Sequence, residues 1–146
     1  MLVQEEIEQT DVSGVPPYKL FSLAGVVIAA IFGSVLAGGI FMAINYDRLG
    51  KPKEAARTYW ITFLVSVVAL VIGIVLPQNV DPMVLSIPLL LGVWQAMKGY
   101  QLPLVNHHLA QQGKMESNWK AFGLSLLIGA VTFFMVCFAI AVFTPL

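Results

Sequence analysis

Between Lys19 and Asp47 the chain runs for 27 residues without a charge, as LFSLAGVVIAAIFGSVLAGGIFMAINY. A helix rises about 1.5 Å per residue and needs ~20 residues to cross a hydrocarbon core of about 30 Å. This interval therefore has more than the length of a membrane span. Two further charge-free intervals meet the same requirement. Thr58 to Val80, 23 residues, opens on Tyr59 and Trp60 and closes near Pro77, and Ala121 to Leu146 is approached through Trp119 and Lys120. Aromatic rings beside a charge mark the depth of the lipid headgroups. A shorter interval from Pro82 to Met97, 16 residues, contains Pro88 and leads into Lys98 and Tyr100 past Trp94. It would make only about 24 Å of helix; it reads as a fourth, kinked span, with a re-entrant or interfacial segment as the competing reading.

Composition agrees. Only 11% of the 146 residues are charged and 58% are hydrophobic, with a mean hydropathy of +0.83, whereas a water-soluble domain carries roughly 25% charged residues. A soluble enzyme is excluded. Eight Lys and Arg balance eight Asp and Glu, leaving no electrostatic footprint for nucleic acid. The single cysteine, Cys137, permits neither an internal disulfide nor a cysteine-rich metal site. The fold class expected is all-α, an integral membrane bundle of four transmembrane helices over about 20–45, 58–77, 82–98 and 121–144, with one cytoplasmic amphipathic helix.

Residues 1–19 have a different character: Glu5, Glu6, Glu8 and Asp11 are followed by Gly14, Pro16 and Pro17, a composition that reads as a flexible acidic tail and lacks the positive start of a secretory signal. With four spans, Arg48, Lys51, Lys53 and Arg57 fall on the same side as Lys98, Lys114 and Lys120, and only Lys19 falls opposite. The positive-inside rule then places loops 47–57 and 98–120 in the cytoplasm and both termini outside.

Leucine gains little by leaving lipid for another helix, so spans associate through close backbone approach at small residues. The first span has them in register: Gly25, Ala29, Gly33 and Ala37 form one row, and Ala30, Ser34 and Gly38 a second. These rows predict a groove for another helix, read as an ordinary contact within the chain, with Ala69/Gly73 and Ser125/Gly129 as small partners. A dimerisation face or a substrate path is the functional alternative. Gly38-Gly39 is a candidate site for a bend.

In the second loop Pro103 and Gly113 bracket a stretch with Leu102, Val105 and Leu109 on one face, the pattern of an interfacial amphipathic helix. His107 and His108 are adjacent, about 100° apart around a helix, and do not point at one metal; interface-facing or solvated rings are expected. Arg48, Lys51, Lys53, Lys114 and Lys120 are candidates for contact with anionic lipid headgroups.

Phe32-Gly33-Ser34-Val35-Leu36-Ala37-Gly38-Gly39, followed by Asn45-Tyr46-Asp47-Arg48-Leu49-Gly50-Lys51, resembles the start of a family of small bacterial inner-membrane proteins of uncharacterised function. Leu102-Pro103-Leu104-Val105, His108, Gly113-Lys114, Ser117-Asn118-Trp119-Lys120 and Phe122-Gly123-Leu124 are similar to its loop and final helix. Relatives tend to have Gly-Pro where this chain has Leu102-Pro103. The likeness covers roughly residues 18–129 and implies an inner-membrane location and a multi-helix fold, without catalytic or binding residues.

Intramembrane ionisable groups usually mark relays and ion paths, and these intervals hold no charged residue. The expectation is therefore a protein that is not an enzyme and needs no cofactor: a membrane-embedded structural or accessory subunit engaging a larger membrane protein or a copy of itself. The alternatives are a small oligomeric channel or transporter lined by Asn45, Gln95 and Ser34, and a sensor of anionic lipid.

Overall fold

The computed structural model describes residues 15–77 and 79–143. The acidic residues expected in the tail, Glu5, Glu6, Glu8 and Asp11, lie outside the described residues, as does position 144. In chain order the elements are β1 (Lys19–Leu20), α1 (Leu23–Arg48), α2 (Pro52–Val75), α3 (Met83–Ala96), a π turn (Met97–Gln101), α4 (Leu102–Ala110), β2 (Lys114–Met115) and α5 (Asn118–Phe143). Three helices are long and apolar enough to cross a membrane: Leu23–Arg48, Pro52–Val75 and Asn118–Phe138.

α1 is not a straight rod. In an unbroken helix residues 21 and 45 would stand about 36 Å apart, yet the Phe21 amide N–H donates to Asn45 Oδ1 over 2.8 Å and the Phe21 and Phe41 rings stack at 4.2 Å. The reversal is at Ser34, where φ is 79° and ψ 169°, a region that is nearly glycine-only and costs of order 1–3 kcal/mol elsewhere. Two antiparallel arms result, residues 23–33 and 35–48. They lie so close that a Cβ on Gly38 would come within 2.9 Å of the Ala30 Cβ, so small residues on both arms are the condition for the hairpin. The interval expected as a single span over about 20–45 has the apolar length of one, but it is folded back at Ser34, with both its ends at one end of the bundle. The bend expected at Gly38-Gly39 is displaced to Ser34. Those two glycines instead admit Ala30 and Thr62 respectively.

The hairpin is the hub. α2, α3 and α5 pack chiefly on α1 rather than on each other, and half of α1's apolar stretch is buried against 6% of α2's. The core gathers at the loop end, from Leu20, Phe21, Val26, Phe41, Met97 and Val105. There β1 pairs in parallel with β2, Lys19 opposite Lys114 and Leu20 opposite Met115. This pairing corrects the expected placement of the N-terminal segment opposite the loops: Lys19 sits beside the loop that carries Lys114.

α3 starts where Asp81 Oδ1 accepts from the Met83 N–H at 2.8 Å, which satisfies a free donor of the first turn. It does not stop near residue 98. The backbone stays helical through the π turn into α4, with Val93, Met97, Gln101, Val105 and His108 all buried. Three successive four-residue steps would drift about 120° around an ideal α-helix, and the wider i→i+5 turn absorbs part of that drift. The apolar face expected on α4 is divided: Val105 is buried while Leu109 is 47% exposed, and His108 takes the inward position.

Candidate functional site

At the loop end a polar assembly holds the hairpin shut. Phe21 lies between the ladder and the Ser22 N-cap of α1, so its peptide groups have no partner in either element. Asn45 supplies both: its Oδ1 accepts from the Phe21 N–H, and its Nδ2 donates to the Phe21 carbonyl at 2.9 Å and to Gln101 Oε1 at 3.3 Å. Gln101 Nε2 in turn donates to the Met42 carbonyl at 2.6 Å. Both amides are completely buried, where an unmatched polar group would be costly. One planar amide offers an acceptor and two donors, which is the set this position requires.

Around that centre lies a charged clasp. Arg48 Nη1 donates to the Lys19 carbonyl at 2.6 Å and pairs with Glu116 Oε1 at 3.0 Å, while its guanidinium lies 5.5 Å from the centre of the Phe21 ring. Lys120 also pairs with Glu116 at 3.0 Å. Burial pushes the Glu116 carboxyl upward, but the hydrogen bonds and charges of Lys120 and Arg48 outweigh it and hold the group below the ordinary carboxylate range. The clasp joins the end of the return arm to β1 and to the start of α5.

His108, expected at the interface or in solvent, is buried and stacks on Tyr18 at 5.0 Å. Gly113 lies against the ring so closely that a Cβ there would overlap it. Nε2 lies 3.1 Å from the Lys114 carbonyl, an acceptor to which a protonated Nε2 donates, and buried Nδ1 has no partner among the described residues. His107 is exposed.

The small-residue rows serve several neighbours rather than one. Gly25 faces Asn118 and Ala121, and a Cβ on Gly33 would strike the Ser125 carbonyl, so the first arm crosses α5 at Gly33, Ser125 and Gly129. Ala29 and Ala37 are fully buried. Gly38 meets Ala30 and Val93. Ser125 and Gly129, one of the two small pairs proposed as partners, meet the arm at Gly33, whereas a Cβ on Gly73 of the other pair would have no atom of the described residues within 4 Å. Among the lipid-headgroup candidates, Arg48 and Lys120 are committed to Glu116, whereas Lys53 and Lys114 are exposed and Lys51 is half-buried. The three polar residues proposed as a channel lining are not brought together: Asn45 is locked in the hairpin, Gln95 is exposed, and Ser34 borders a separate cavity of about 340 Å³ with Ser86.

No protein family, curated protein or solved structure matches this chain.

Proposed function

We propose that this protein is a membrane-embedded structural or accessory subunit of the bacterial inner membrane, in which α1 enters as a re-entrant hairpin and α2, the α3 rod and α5 cross. The distribution of residues along the bundle supports the placement. All eight Lys and Arg and all seven Trp and Tyr belong to the loop end, while Asp81 is the charged residue of the far turn. The positive-inside rule makes a basic end the cytoplasmic one, and the aromatic rings there mark the level of the headgroups. The first arm, residues 23–33, reaches about 16 Å, half the hydrocarbon thickness. In this topology the chain at residue 15 is cytoplasmic and the end of α5 is outside.

The observation that carries the functional reading is the contrast between hub and rim. α1 spends its surface inside the molecule, while beyond the Ser34 turn α2 and α5 offer outward apolar faces such as Val71, Ile74 and Val75, and Phe134, Met135 and Phe138. Such faces suit lateral docking on another membrane protein, with the basic loops available below. Cys137 is exposed on this part of α5, so a photocrosslinker attached there in native membranes is expected to yield a discrete adduct with a second membrane protein. Adducts with lipid alone would contradict the reading.

A second reading, a small channel or transporter, is favoured by one feature: the two arms of α1 meet at mid-depth, the arrangement by which discontinuous helices build transport sites. Solute flux through liposomes that contain only this protein would establish it in place of the first.

A further inference from the structure

At Ser34 the ladder of α1 is broken in the middle of an apolar interval, because φ 79° and ψ 169° do not carry i→i−4 bonds through that residue. The last carbonyls of the first arm and the first N–H groups of the return arm therefore lose their ladder partners at the hairpin tip. In hydrocarbon such backbone is tolerated only where protein buries it or where it lines a water-filled cavity. Protein covers one side. A Cβ on Gly129 would stand 3.0 Å from the Phe32 carbonyl and 3.2 Å from the Gly33 Cα, so α5 closes over the tip there. The side toward α3 is open: Ser34 is exposed, its hydroxyl has no partner among the described residues, and it borders the cavity of about 340 Å³ in which Ile31 and Val35 of the hairpin face Ser86 and Ile87 of α3.

The packing of α3 fixes the depth of this cavity. A Cβ on Gly38 would lie 3.2 Å from Val93 Cγ1, and the return arm and α3 both run toward the loop end. Leu89 therefore stands level with Ser34, Ser86 about 4.5 Å beyond the tip, and Met83, where α3 begins, about 9 Å beyond it. The cavity thus lies between the hairpin tip and the far turn that carries Asp81. Its polar groups suit water. Ser86 Oγ donates to the Pro82 carbonyl at 3.0 Å and keeps its lone pairs as acceptors, while the Ser34 hydroxyl can both donate and accept. At about 30 Å³ per molecule there is room for about ten waters, which bond to one another and to these groups. An acyl chain in the same space would leave the broken backbone without partners.

We propose that this cavity is a water-filled vestibule that opens on the side opposite the basic end and brings solvent to the break in α1 at mid-depth. The vestibule rests on the membrane placement given above and is independent of the accessory role.

Thiol reactivity provides the test, because a cysteine reacts as the thiolate and apolar surroundings raise the thiol pKa. In a Cys137→Ser background, Ile31→Cys, Ser34→Cys and Ser86→Cys place thiols along the cavity, and Ile31→Cys leaves the strained residue untouched. Val131→Cys is the matched control. Gly129 is level with the hairpin tip, so Val131 lies about 3 Å beyond it, at a depth between Ser34 and Ser86, yet it is exposed on α5 and does not line the cavity. Asp81→Cys reports the far surface. Intact cells are treated with a charged, membrane-impermeant methanethiosulfonate, and modification of the purified protein is followed over time by mass spectrometry. The three cavity cysteines are expected to react within about tenfold of Asp81→Cys, and Val131→Cys at least about a hundredfold more slowly, the loss of thiolate when a low dielectric raises the thiol pKa by about two units. Cavity cysteines as slow as Val131→Cys beside a reactive Asp81→Cys would overturn the vestibule alone. An Asp81→Cys that reacts only after permeabilisation would overturn the membrane placement and the vestibule with it.

Discussion

Asn45 must accept from one peptide group of Phe21 and donate to the other, and few side chains do both from one plane. Asp at this position keeps the acceptor but faces the Phe21 carbonyl and Gln101 Oε1 with a negative oxygen in a buried site. Asn45→Asp is therefore expected to destabilise the protein by about 3 kcal/mol or more, the sum of two unsatisfied buried groups at 1–3 kcal/mol each, read as a lower melting temperature in detergent. Loss of less than about 1 kcal/mol would mean that the amide is not the lock. Ser34 makes the opposite prediction. Glycine adopts φ near 79° without the Cβ penalty, so Ser34→Gly is expected to stabilise by about 1 kcal/mol and Ser34→Val to destabilise; the same melts measure both. Neither role was readable from the residues alone. Asn45 looks like a lone polar group in an apolar run, and Ser34 sits among small residues whose spacing also fits an unbroken packing face.

Among the elements, the helices themselves were legible because charge-free runs have a length that only a helix or barrel satisfies in lipid. The direction of α1 was not. Hydropathy records that a side chain belongs in hydrocarbon, and an arm that turns back at mid-depth buries the same apolar atoms as one that continues. The inward position of His108 was not legible for a related reason: periodicity groups Leu102, Val105 and Leu109 on one face, whereas the structure buries Val105 and His108 and leaves Leu109 47% exposed. The clasp that closes the elements depends on pH. The carboxyl of Glu116 is held below its ordinary value, near 4.3 in an unfolded chain, so its contribution is complete above that pH and is lost as pH falls through the lower folded value. Acidification is expected to lower the melting temperature of the wild type more than that of Glu116→Gln. Parallel acid profiles for the two proteins would remove the clasp from the account.

For the whole molecule, the topology proposed above turns on the hairpin of α1. With α1 as a straight span, Lys19 stands opposite the other seven basic residues; with α1 folded at Ser34, all eight share one end, which satisfies the positive-inside rule more completely than the four-span expectation. The same fold leaves the outward apolar faces of α2 and α5 on the rim, the faces that the proposed accessory role uses. Side-specific labelling tests this most directly. In a Cys137→Ser background, single cysteines replace Val15 and Asp81, and intact cells are treated with a membrane-impermeant maleimide. The folded-back α1 predicts that Asp81→Cys reacts in intact cells and that Val15→Cys reacts only after permeabilisation. Reaction of both from the outside would contradict it.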